Sequence, residues 1–163
     1  MSVTVHVRYK DVEETFTGNV NDVWIGVNRF FSQTIPLFDV VRSTVLTVDL
    51  KEVLEASKGL VAVAEEDTVV LVSKQKLTDS ESLLLKLLAA YVGWQLGLLE
   101  KASLSRGELQ RWLGKSGKIT GTRLGELCRE SLVVRTEKGD YRLSTLGIKR
   151  LVGEVLAQVR SKI

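Results

Sequence analysis

Apolar and polar residues alternate from the start of the chain: Val3, Val5, Val7 and Tyr9 are interleaved with Thr4, His6 and Arg8, which predicts a half-buried strand. A turn at Lys10 and Asp11 leads to a second such run near 12–17, ended by Gly18, so the two are expected to form a hairpin. From Asn21 the period becomes helical, with Trp24, Val27, Phe31 and Ile35 on one face and Pro36 as the stop. Core packing explains this aromatic face better than a ligand groove lined by Trp24, Phe30 and Phe31. Residues 37–48 fit helix and strand patterns about equally, and a helix through Arg42 with an extended segment after it is the expectation. Asp49 and Glu52 then cap a helix that Gly59 terminates, and "LVAVAEEDTVVLVS" reads as two apolar strands around an acidic turn at Glu65 to Asp67.

The polar run "SKQKLTDSE" precedes the longest helix, which Asp79 or Ser80 would cap. Residues 83–99 are apolar apart from Lys86 and Gln95. A membrane span needs ~20 such residues; this run is shorter and contains Lys86, so a helix buried on all sides is the expectation. Ala89, Gly93 and Gly97 lie four apart, a small-residue ridge against which the last helix, or the same helix of a second copy in a homodimer, could pack.

Over 104–147 the punctuation is dense. Ser105 and Glu108 make an S-x-x-E capping box, and Leu104 and Leu109 can close a hydrophobic staple around it. Leu109, Trp112 and Leu113 form the inner face, Gly114 ends the helix, and Lys115, Ser116 and Gly117 make a turn. In the next helix Thr120, Leu124, Leu127 and Cys128 face inward, while Lys118, Thr122, Gly125, Glu126 and Arg129 face outward. Gly121 and Gly125 each cost that helix ~1 kcal/mol relative to alanine. Two short strands, 133–136 and 141–144, flank "EKGD". A turn centred on Lys138 and Gly139 would set Arg135 directly across from Arg142, with Lys138 at the tip; such like charges destabilise a ribbon, a penalty that a bound phosphate between them would remove, although two solvated arginines on a surface hairpin are also common.

The stretch "RESLVVRTEKGDYRLSTLGIKRL" resembles the wing and following helix of MarR-like winged-helix transcription regulators: Leu132 and Val133 match the end of the recognition helix, and Tyr141, Leu143 and Gly147 match a "Y-x-L-T-x-x-G" motif with Ser144 in place of threonine. The chain departs from the family at Ser131, where glycine is usual, and at Gly121 and Gly125, where side chains that read bases or phosphates would stand. The resemblance, over 80–156, implies a winged helix-turn-helix that contacts duplex DNA. Winged helices also serve as protein-interaction modules, the alternative reading.

Charge sharpens this division. Residues 1–79 hold 8 lysines and arginines against 12 acidic residues, net −4; residues 80–163 hold 15 against 8, net +7. The expectation is therefore an α+β chain with a small α+β domain over 1–79, open to an effector or protein partner, and a winged-helix domain over 80–163 that meets a polyanion. The residues offered to DNA are Lys115, Ser116, Lys118, Thr122, Arg123 and Arg129 around the helix-turn-helix, and Arg135, Lys138 and Arg142 on the wing. One histidine and one cysteine cannot build an ordinary zinc site, "GKSGK" lacks the spacing of a phosphate loop, and Glu65 to Asp67 read as a solvated turn, so no enzyme, metal or cofactor is expected. The lone Cys128 and the absence of an apolar leader fit a cytoplasmic location.

Overall fold

The computed structural model of the chain describes residues 2–35, 46–65 and 67–163, in which helices and small antiparallel sheets form a mixed α+β arrangement. They fall into two compact units, Met1–Leu46 and Thr47–Ile163.

In the first unit the period-2 pattern forms β1 (Val3–Tyr9) and β2 (Val12–Gly18), antiparallel with Tyr9 opposite Val12, so Lys10 and Asp11 alone make the turn. Lys10 has φ 54°, the left-handed backbone that a two-residue hairpin turn requires. Asn19 then caps α1 (Val20–Thr34), its side chain accepting from the Asp22 N–H at 2.9 Å. The buried face of α1 carries Val23, Val27 and Phe30, which corrects the expected Trp24, Val27, Phe31 and Ile35. The hairpin decides this. Its Phe16 ring lies so close to Gly26 that a Cβ there would come within 2.7 Å, and it meets Phe30 edge-on at 6.2 Å between centroids. With Gly26 and Phe30 turned to Phe16, Trp24 is left 63% exposed. The helix expected over 37–42 lies outside the described residues.

The second unit opens with α2 (Leu50–Ser57), where the Asp49 side chain accepts from the Lys51 N–H at 2.9 Å, and β3 (Val61–Val63) and β4 (Thr68–Val70) pair as the expected hairpin. A single 3-10 turn, Lys74–Lys76, leads to α3 (Asp79–Gln95). The cap of α3 is Thr78, in a capping box with Glu81, one or two residues before the expected Asp79 or Ser80. Leu83, Leu85, Leu87, Leu88, Ala89 and Ala90 are wholly buried, as a helix apolar on every side requires.

That cover comes from both directions along the chain: β3 and β4 from before α3, and α4 (Arg106–Leu113), α5 (Gly117–Arg129) and β6 (Tyr141–Leu143) from after it. The expected boundary at residue 79 is therefore displaced to 46, because a half-molecule beginning at Ser80 would leave one side of α3 in water. The polar run ahead of α3 is a tie between elements far apart in the chain. Lys74 donates to the Trp112 carbonyl and stands 4.2 Å over its indole ring, while Trp112 Nε1 donates to the Ser82 carbonyl at 3.1 Å. Lys86, the one cation inside α3, is satisfied by the Thr68 carbonyl and by Asp67 at 3.6 Å.

The ridge expected of Ala89, Gly93 and Gly97 does not form. Gly97 (φ 73°) lies beyond the end of α3, in a turn where the Leu98 and Leu99 N–H groups bond back to the Gly93 carbonyl at 2.9 and 3.1 Å. Gly93 is filled from within its own chain, since a Cβ there would come within 2.5 Å of Leu99 Cδ1 and 2.9 Å of Val63 Cγ1. Ala89 and Gly93 are therefore internal packing, whereas Gly97 lies exposed past the helix end. Among the described residues no helix is long and apolar enough to cross a membrane.

The local signals after residue 100 are met closely. Ser105 and Glu108 form the capping box of α4, and Gly114 ends it at φ 71°. Leu104 forms an isolated bridge to Tyr141, with N–O distances of 2.9 and 2.8 Å, adding a third short strand to the hairpin of β5 (Val133–Arg135) and β6. At the end of α5, Leu132 N bonds to Leu127 O and Ser131 N to Cys128 O, the paired bonds of a Schellman motif, which needs a left-handed residue at Ser131. Ser131 takes φ 60°, the left-handed backbone that glycine adopts at least cost. Ser144 caps α6 (Thr145–Arg150), which continues through a π-helical turn, Leu151–Val155, into α7 (Leu156–Ser161). Arg160 closes the unit by donating to the carbonyls of Ala56 and Lys58 at 2.8 and 2.6 Å.

Candidate nucleic-acid interface

Helix α5 buries Thr120, Leu124 and Leu127 on the face expected and shows Lys118, Thr122, Gly125 and Arg129 to solvent. Thr120 can be buried because its hydroxyl donates to the Ser116 carbonyl at 3.0 Å. On the outer face the Thr122 hydroxyl is held by the Lys118 carbonyl at 2.9 Å, and a Cβ on Gly125 would meet nothing within 4 Å. Lys118 and Arg129 form no ion pair among the described residues; Arg129 Nε donates to the Gly125 carbonyl at 3.4 Å, which leaves the rest of its guanidinium and the Lys118 ammonium open to anionic oxygens.

The other residues expected here are engaged within the chain. Lys115 Nζ is 2.6 Å from Asp79 Oδ1, and Arg123 reaches both Asp79 at 3.8 Å and Glu126 at 2.9 Å. The bond to Glu126 raises the Arg123 pKa further above its usual value. Ser116 is the N-cap of α5, its Oγ accepting from the Ile119 N–H at 3.3 Å. These three residues fasten the α4–α5 turn, two of them to the start of α3.

On the hairpin the opposed arginines are corrected. The register pairs Arg135 with Tyr141 and Arg142 with Val134. The loop is longer than a two-residue turn: Thr136 N bonds to Asp140 O at 2.7 Å and Gly139 N to Thr136 O at 2.9 Å, leaving three residues between, with Gly139 at φ 85° as the left-handed bulge position. A slip of one residue moves a side chain to the other face. Arg135 thus lies beside the Tyr141 ring, 6.0 Å from its centroid, whereas Arg142 projects from the opposite face and donates to the Leu143 carbonyl at 3.3 Å. Lys138 is exposed at the loop tip.

A basic residue that the sequence reading passed over also reaches this surface. Arg106, at the start of α4, donates from Nη2 to the Gly117 carbonyl at 2.7 Å, and its guanidinium covers Gly121 so closely that a Cβ there would lie 2.5 Å from Nη2. The signal was Gly121 itself, since a glycine in mid-helix marks close approach by something.

Compared with protein-family models, curated proteins and solved structures, the chain matches none.

Three carboxylates of the second unit have their pKa lowered by bonds within the fold. Asp140 lies below the usual aspartate value because Lys101 bonds to it at 2.6 Å, with Ser103 assisting. Glu108 is lowered chiefly by the Ser105 N–H at 2.7 Å. At Glu81 burial pushes upward, but the bonds from Lys162 and the Thr78 N–H together outweigh it and the net shift is down. A carboxyl depressed in the folded state stabilises fully above its unfolded pKa of about 4, and that stability is lost as pH falls through the lower folded value. The urea midpoint of the full chain should be flat from about pH 7 to 5 and fall below about pH 4. The combination Glu81→Gln with Asp140→Asn should shrink that fall; an acid branch of unchanged size would show that other groups cause it.

Proposed function

We propose that residues 79–163 form a winged helix of the MarR-like kind and bind duplex DNA, mainly through its phosphates, in the service of transcription regulation. The order of elements supports this reading: α3, the Leu104 strand residue, α4, α5 as recognition helix, the β5–β6 wing and the helix after it. The observation that carries it is the outer face of α5, where Lys118 and Arg129 have no carboxylate partner among the described residues although Asp79 and Glu126 neutralise Lys115 and Arg123 nearby. Asp79 and Glu126 are engaged with Lys115 and Arg123, and neither pairs with Lys118 or Arg129. Lys138 on the wing tip and one wing arginine extend the same charge, and the net +7 of residues 80–163 draws a polyanion toward it. Base reading is modest, since Gly125 offers no side chain at the centre of the face; phosphate contacts position a protein without specifying sequence.

The test is a salt series with a random-sequence duplex. Three to five phosphate contacts give a slope of log affinity against log salt of about −3 to −4.5. No binding by the intact chain at low salt would sink the DNA reading and leave the protein-interaction form of winged helix in its place.

A further inference from the structure

We infer that Arg106 grips a DNA phosphate from the rim of the α5 face, using the place that Gly121 leaves vacant; this rests on the DNA reading above. Its guanidinium makes one hydrogen bond, from Nη2 to the Gly117 carbonyl, and no ion pair among the described residues. A guanidinium has five N–H donors in a planar fork, so most of the fork remains open to a ligand while the one bond holds it in position. Side chains that are fixed beforehand lose less entropy on binding than free ones.

Gly121 is what makes the arrangement possible. A Cβ at 121 would stand 2.5 Å from Nη2 and 3.1 Å from Cζ, so any side chain there displaces the guanidinium. The helix thereby gives up about as much propensity as a mid-helix glycine always does, and it gains a cation supplied by its neighbour. The position also selects the kind of contact. At 100° per residue Gly121 is about 60° around α5 from Lys118, on the side towards α4. A group on that flank of a helix lying in a major groove meets the groove wall, which is phosphate, whereas base edges form the floor.

Arg106→Ala should lower affinity for every duplex alike and reduce the salt slope by about 0.9, so that the loss of affinity between 50 and 200 mM salt shrinks about 3.5-fold. Gly121→Ala, which favours the helix, should do the same by displacing Arg106. The double variant should bind no more weakly than either single one, because each removes the same contact. If both variants keep the parent slope while Lys118→Ala lowers it, Arg106 is only a tether of the α4–α5 turn and the inference fails with the DNA reading intact. A loss confined to particular base sequences would overturn the phosphate assignment. Absence of binding by the parent chain would remove the DNA reading, and this inference with it.

Discussion

Gly147→Ala should lower the stability of the second unit by about 3 kcal/mol or more and its melting temperature by about 10 °C. A Cβ at Gly147 would stand 2.0 Å from the Leu132 carbonyl oxygen, 2.9 Å from its carbon and 3.1 Å from its Cα, and all three are backbone atoms that cannot turn aside. The first turn of α6 would have to move away, yet it is pinned there. Ser144 N donates to that same Leu132 oxygen at 3.0 Å, and the Ser144 hydroxyl reaches back to the Ser131 carbonyl while accepting from the Gly147 N–H at 2.8 Å. Overpacking alone costs about 1–3 kcal/mol, and loss of the cap adds about 1 kcal/mol. Gly125→Ala is the control. It sits in open space on an exposed helix, so alanine should raise stability by about 0.5–1 kcal/mol. Thermal unfolding of the two variants followed by circular dichroism should move in opposite directions. A Gly147→Ala protein melting within about 2 °C of the parent would show that α6 is not held against Leu132 as described.

The same glycine shows what a sequence can and cannot disclose. Gly147 was legible as part of a motif, but the reason for it, a carbonyl 15 residues earlier in the chain, was not. Signals that act within one turn of backbone read well: the Ser105–Glu108 box, the Gly114 stop, the β1–β2 turn at Lys10 and Asp11, and the inward set Thr120, Leu124 and Leu127. Signals that depend on partners far along the chain did not. Asp79 read as a helix cap because nothing local ties it to Lys115 and Arg123, 36 and 44 residues away, and those two then counted as free cations. The unit boundary was misplaced for a related reason: residues 83–99 advertise that they need cover, but not that β3 and β4 supply part of it. On the wing, a turn centred on Lys138 and Gly139 and the longer loop both put Gly139 at a position glycine favours, so composition could not separate two registers that differ by one residue. Charge asymmetry weakened with the change of boundary: residues 1–46 hold 4 lysines and arginines against 5 acidic residues, net −1, and residues 47–163 hold 19 against 15, net +4, so the basic excess belongs to the stretch after residue 79 and not to the whole second unit.

The surface leads to the second large effect, in binding. Lys118 and Arg129 are eleven residues apart on one face of α5, about 16 Å along the axis, enough to reach both walls of a major groove about 12 Å wide. Lys118→Ala with Arg129→Ala should therefore remove two phosphate contacts, flatten the salt slope by about 1.8 and shrink the affinity lost between 50 and 200 mM salt about 12-fold. Lys115→Ala should behave differently. Its ammonium already has Asp79 at 2.6 Å, so little counterion is released when DNA arrives, and the variant should change the slope by less than about half a unit. The wing offers a third comparison. Arg135 and Arg142 project from opposite faces of the hairpin, and only one of them can face a given strand of DNA. Removing both should lower the slope by no more than about 0.9, where a clamp of two opposed arginines would lose twice that. Fluorescence anisotropy with one labelled duplex across a salt series resolves all three variants. A Lys115→Ala slope that falls as far as that of the Lys118 and Arg129 pair would show that Asp79 releases its lysine on binding, and the separation of fastening cations from free ones would have to be given up.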